Sequence, residues 1–220
     1  MSPDTSEEKG EVYGFHLIYS GNFLAQTECD QFGNIRAQIG IHPETFCWEL
    51  SPGETFFTPE AVLNYSGRGL NTMSQNFHTL YRRHLFPKSY AGKERPILLN
   101  SWEGMYYDVS LEKIEEQSAL ARKLGMELFV LDDGWFRADN ASRSSMGDWT
   151  CNEKKLPGGI HTAAEIVRQN GLKFGLWFEP EAVSQKSGLY EKHPDWALHI
   201  PGYGLTEGRH EYLLDLTRED

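Results

Sequence analysis

Between Val12 and Ser66 apolar and polar residues take turns along the chain. Phe15, Leu17 and Tyr19 alternate with Gly14, His16 and Ile18, and Ile35, Ala37, Ile39 and Ile41 alternate with Arg36, Gln38 and Gly40. A period of two puts each set on one face of an extended strand, so half-buried antiparallel strands are predicted. Gly33-Asn34 and Pro52-Gly53 supply turns, and Thr55 to Leu63 is rich in β-formers. These features predict a partial β-sandwich over residues 11–70, short of the roughly 100 residues of a compact seven-stranded one. From Asn71 to Leu85 the period changes. Met73, Phe77, Leu80 and His84 recur at spacings of three and four, which predicts a helical linker over 71–95.

Beyond Arg95 the pattern becomes strand, helix, strand, helix, strand. Pro96 to Asn100 is an apolar run, and Leu111 to Leu124 follows as a helix with Ile114, Ala121 and Leu124 on one face, Ser110 as its cap and Gly125 as its stop. Leu128 to Leu131 is a short continuous apolar run of the kind carried by a strand covered on both sides. A connection of about 25 residues comes next, longer than ordinary linkers and so a candidate functional loop. Thr162-Ala163-Ala164-Glu165 has the form of a capping box opening another helix, Gly171 ends it, and Leu172 to Phe178 is the next strand. Repeated βα units imply a parallel sheet or barrel over 96–220. The opening residues 1–10, MSPDTSEEKG, are expected to be disordered.

Composition narrows the partners. With 32 acidic against 21 basic residues, a net charge of -11 and no basic run longer than Arg82-Arg83-His84, the chain is no match for a nucleic-acid backbone. Cys29, Cys47 and Cys151 are odd in number and far apart, the pattern of buried free thiols in a reducing compartment and not of a disulfide framework or zinc ribbon. MSPDTSEEKG has no apolar signal core and no apolar run approaches membrane-spanning length, so a cytoplasmic location without a membrane partner is expected. The sequons at Asn64 and Asn140 would matter only in a secreted protein.

Carboxylates cluster at the predicted strand ends. Asn100-Ser101-Trp102-Glu103 follows the first strand, Asp132-Asp133-Gly134-Trp135-Phe136 the second, and Trp177-Phe178-Glu179-Pro180-Glu181 the third. In parallel α/β folds the C-terminal edge is where ligand sites assemble. Acids beside Trp135 and Phe136 suggest sugar hydroxyls held against aromatic faces, and glycoside cleavage needs two carboxyl groups around an anomeric carbon. A plainer alternative stands beside this. One Asp caps the turn, Trp135 is core, Glu103, Glu179 and Glu181 bond neighbouring rim groups, and Trp149 and Trp196 are packing residues.

NSWE, LFVLDDGWF, the GDW of Gly147 to Trp149, GLWFEPE and TEGR, in this order over about 110 residues, resemble bacterial-type α-galactosidases of glycoside hydrolase family 36. The resemblance runs from about Glu11 to the C-terminus. It implies a β plus α/β fold: the end of a β-sandwich, then the first three or so units of a truncated (β/α)8 barrel. It also implies retaining hydrolysis of terminal α-galactosides such as melibiose and raffinose through a covalent galactosyl-enzyme, with no metal or other cofactor. By the same resemblance Asp132 and Asp133 grip galactose hydroxyls, Trp102 and Trp177 line the sugar pocket, and Arg209 binds substrate.

The sequence departs from the family where catalysis happens. The KWD-type nucleophile motif and the Gly-rich acid/base segment are absent from these 220 residues, so no catalytic residue is assigned. The chain is expected to be an internal segment of a longer homo-oligomeric enzyme, inactive by itself. Two other readings remain: a galactoside-binding pseudoenzyme, and a metal-dependent barrel hydrolase whose Asp and Glu residues ligate a divalent cation.

Overall fold

The computed structural model describes residues 1–44, 46–138, 145–205 and 207–218. The chain divides into two compact units, Met1–Lys93 and Glu94–Asp220.

In the first unit the alternating segments form β1 (Val12–Ile18), β2 (Phe23–Cys29), β3 (Ile35–Ile41) and β4 (Glu60–Ser66), followed by α1 (Gly69–Leu80). β1 pairs antiparallel with β4, Phe15 opposite Leu63, and β2 pairs antiparallel with β3, Ala25 opposite Ile39. The β2–β3 turn is held by Asp30, whose Oδ1 accepts from the backbone N–H groups of Phe32 and Asn34, both at 2.8 Å. Gly14 and His16 face α1: His16 stacks on Phe77 at 3.8 Å between ring centroids, and a Cβ on Gly14 would meet the Met73 sulfur and the Phe77 ring at 2.7 Å. On the opposite face Tyr13, Phe15, Leu63 and Tyr65 are exposed.

The strands keep the predicted period without the predicted burial, and Ile35 of β3 is 76% exposed. The helix of residues 69–80, expected as an amphipathic linker within 71–95, packs on β1 and β4 and buries Phe77; its 3-4 spacing revealed an apolar stripe but not the surface that receives it. Residues 1–10 are hydrogen-bonded, not disordered. The backbone N–H groups of Gly69, Leu70 and Asn71 donate to the carbonyls of Gly10, Ser6 and Glu7 at 3.0 to 3.1 Å, filling the donor positions that open every helix. The cysteines are all free, but Cys29 and Cys47 are exposed and only Cys151 is half-buried, where burial pushes its thiol pKa up. Asn64 lies in β4, its amide donating to the Met73 carbonyl at 2.7 Å, and Asn140 falls outside the described residues.

The second unit contains β5 (Leu98–Asn100), α2 (Trp102–Met105), α3 (Leu111–Lys123), β6 (Leu128–Leu131), α4 (Gly159–Gln169), β7 (Lys173–Leu176), β8 (Ala182–Ser184), α5 (Gly188–Lys192), β9 (Glu207–Gly208) and β10 (Glu211–Leu213). β5, β6 and β7 form a parallel sheet in that order, with Leu99 opposite Phe129 and Phe129 opposite Phe174. This is the parallel sheet that the strand-helix pattern predicted. Ile114, Phe129, Leu131, Leu156, Ala163 and Val167 make its core.

Ser110 caps α3, accepting from the Lys113 N–H at 3.3 Å, and Gly125 takes φ +82 just past its end. Leu124 is exposed, and Ser118 takes the buried position, satisfied by Asn170 at 2.8 Å. No capping box forms at Thr162. α4 starts three residues earlier, at Gly159, after Gly158 at φ +80, and the Thr162 hydroxyl donates back to the Gly158 carbonyl at 3.1 Å. β8, β10 and β9 form a second, antiparallel sheet. Its strands of two or three residues are too short to show a period. No helix among the described residues is long and apolar enough to cross a membrane.

Candidate functional site

The C-terminal ends of the three parallel strands converge. Asn100 closes β5, Asp132 follows β6 and Trp177 follows β7, whose backbone N–H donates to the Leu131 carbonyl at 2.9 Å. Asn100 ties the first two ends together: its amide donates to Asp132 Oδ2 at 2.5 Å, while its Oδ1 accepts from the Trp102 N–H at 2.8 Å and so sets the turn carrying that indole. The Asp132 N–H donates to the buried Ser101 hydroxyl at 3.0 Å. Gly134, at φ +110, lets this turn pass the Tyr107 backbone; a Cβ there would lie 3.0 Å from the Tyr107 Cα.

Above these ends lies a cavity of about 310 Å³. Asp132, Asp133, Trp102, Trp177 and Arg209, the five residues singled out from the sequence, all line it. Tyr107, Arg137, Met146, Glu179 and Glu211 complete the lining. Of these, only Glu179 belongs to the strand-end acids that the sequence points to. A larger groove of about 730 Å³ in the first unit is lined mainly by apolar residues such as Phe15, Leu17, Phe23 and Ile39, its His16 and Tyr81 are hydrogen-bonded to each other, and its lining includes no carboxylate or guanidinium.

The two aspartates are not equivalent. Asp133 is buried and paired with buried Arg137: Nε donates to Oδ1 at 2.9 Å and a terminal guanidinium nitrogen to Oδ2 at 2.7 Å, while Oδ1 also accepts from the Gly134 N–H at 2.6 Å. Burial opposes the charge on Arg137, but hydrogen bonds and charge from Asp133, helped by Tyr107 and Glu211, outweigh it and raise its pKa. The guanidinium also lies over the Phe136 and Tyr107 rings, 5.0 and 5.3 Å from their centroids. Asp132, by contrast, has no ion pair among the described residues. Its oxygens accept only from the Asp133 N–H at 2.7 Å and the Asn100 amide, leaving lone pairs for donors in the cavity.

Trp135 and Phe136 are not the aromatic floor. Both are buried in a cluster with Trp149, and the Trp135 indole N–H donates to the Trp177 carbonyl at 3.1 Å. The rings that reach the cavity belong to Trp102, Tyr107 and Trp177. Trp149 packs against the core cluster, and Trp196 stacks on His193. Glu103 accepts from the Tyr106 hydroxyl at 2.8 Å and Glu181 is exposed. The long loop after Asp133 contributes Arg137 and Met146, so it does build the site. Arg209, at φ +56 in the β9–β10 turn, is ion-paired with Glu179 and lies 3.8 Å from Glu211.

Buried acceptors, aromatic faces and a guanidinium around one cavity suit a polyhydroxylated ligand. Residues 55–220 match the Melibiase family model, and residues 1–51 match that of the glycosyl hydrolase family 36 N-terminal domain. The chain belongs to the melibiase family. This melibiase-family chain is 52% identical over 220 residues to the α-galactosidase AgaA of Geobacillus stearothermophilus, covering 100% of its own length and 30% of the relative's. A crystal structure of an AgaA variant in complex with 1-deoxygalactonojirimycin superposes with a TM-score of 0.93 at 52% identity, covering 99% of this chain and 30% of that one. Another AgaA variant, in complex with raffinose, gives a TM-score of 0.92 at the same identity and coverage. The melibiase-family chain thus spans about 30% of the length of the relatives it matches.

Proposed function

We propose that this chain supplies the galactose-gripping part of a retaining α-galactosidase acting on terminal α-galactosides of the melibiose and raffinose type. The carrying observation is the convergence of Asp132, Asp133, Trp102, Trp177 and Arg209 on one cavity at the ends of three parallel strands. Asp132 is the leading acceptor for sugar hydroxyls, because its oxygens keep unused lone pairs. Asp133 holds the wall through Arg137. Trp102 and Trp177 offer ring faces to the apolar side of a pyranose, and Arg209 donates to ring or hydroxyl oxygens. Complexes of a relative with raffinose and with 1-deoxygalactonojirimycin support this substrate class.

The metal-dependent alternative fits poorly, because Arg137 engages both Asp133 oxygens and its positive charge repels a cation. A cytoplasmic location and a homo-oligomeric complete enzyme go with the reading; three free cysteines suit the first, and light scattering of the full-length protein tests the second. The decisive assay is turnover of an aryl α-galactoside by residues 1–220 and by the full-length protein. The reading expects none from the first, which carries neither a KWD-type nucleophile nor the acid/base segment, and hydrolysis from the second. Turnover by residues 1–220 that Asp132→Ala abolishes would overturn it.

A further inference from the structure

Glu211 stands apart from the other acids of the second unit. It sits on β10, opposite Ser184 of β8 and Gly208 of β9, is 5% exposed, and lines the cavity. Two cations flank it. A guanidinium nitrogen of Arg137 lies 3.7 Å from Oε1, and one of Arg209 lies 3.8 Å from Oε2. Both separations attract, but both exceed the reach of a hydrogen bond. Among the described residues neither oxygen accepts one, whereas Asp133, equally buried, accepts three; no fully sealed side-chain oxygen there lacks a partner, so the Glu211 oxygens open on the cavity.

A buried carboxylate is costly unless donors surround it. The guanidiniums compensate the charge of Glu211 and leave its lone pairs facing the cavity. We propose that Glu211 is a further substrate-binding residue, whose carboxylate accepts a hydrogen bond from a sugar hydroxyl. This rests on the galactoside reading above. Mounting on a strand paired on both sides fixes the acceptor more closely than a loop would.

The test uses the full-length protein, with galactose and its 2-, 3-, 4- and 6-deoxy derivatives titrated by calorimetry into wild type and Glu211→Gln. A lost hydrogen bond to a charged acceptor predicts about tenfold or more weaker binding of the parent sugar. For one deoxy derivative, the one lacking the hydroxyl that Glu211 accepts, the penalty should fall to about twofold or less. An equal penalty across the whole panel would overturn the proposal, because Glu211 would then act only through its arginine neighbours. Wild type that binds no member of the panel would overturn the galactoside reading and this proposal with it, and the wild-type arm alone reveals that outcome. Should Glu211→Gln fail to fold, Glu211→Asp keeps the charge between the arginines while withdrawing the oxygens by one methylene. It must then show the same selective collapse, and an equal penalty across the panel sinks the proposal there too.

Discussion

Asp133→Asn in the full-length protein should cost stability more than anything its size suggests. Side-chain exposures of 2% for Arg137 and 7% for Asp133 put their pair out of water. Removing one partner of a buried pair costs about 3–5 kcal/mol, because the survivor keeps an uncompensated charge. Glu211 at 3.7 Å still faces Arg137, and asparagine retains one acceptor oxygen, so the expected loss is about 2–4 kcal/mol. At a urea dependence of about 2 kcal/mol per molar, the midpoint of the transition that melts this unit falls by roughly 1–2 M. Asp132→Asn breaks no ion pair and misplaces one amide, costing about 1–2 kcal/mol. Urea unfolding followed by tryptophan fluorescence reads all three proteins. An unchanged midpoint in Asp133→Asn would refute the reasoning.

Gly14→Val should destabilise the first unit by about 1–3 kcal/mol, because its Cβ would meet the Met73 sulfur and Phe77 ring at 2.7 Å; a thermal melt equal to wild type would contradict that contact. Ser110→Ala should cost about 1 kcal/mol through the lost α3 cap, read as a lower denaturation midpoint. Residues 1–220 purified by themselves should bind a hydrophobic dye or associate, since Tyr13, Phe15, Leu63, Tyr65 and Leu98 are exposed and β7 is an edge strand of its sheet. A monodisperse, dye-negative monomer by light scattering would argue the reverse.

The parallel sheet was legible because β6 is a continuous apolar run set in a repeating strand-helix order, and α3 because Ser110 and Gly125 mark its ends. α4 misled at its start: Thr162 and Glu165 have the letters of a capping box, but left-handed Gly158 turns the chain three residues earlier. The sequence showed Asp132 and Asp133 as a pair, whereas their division of labour depends on Arg137. That residue follows the buried Trp135 and Phe136, and a charge directly after such a run was the one available signal. Glu211 carried none, since its strand is three residues long and its arginine neighbours lie far from it or in a turn. The burial of β1 to β4 was overestimated because alternation shows which side chains share a face and not what covers it.

The central claim is that Asp132 holds a galactose hydroxyl in the cavity at the strand ends. Calorimetric titration of galactose into full-length wild type and Asp132→Ala, at matched folded fraction by circular dichroism, tests it most directly. Loss of a charged acceptor predicts binding weaker by about tenfold to a hundredfold in the variant. Equal affinity in the two proteins would contradict the account.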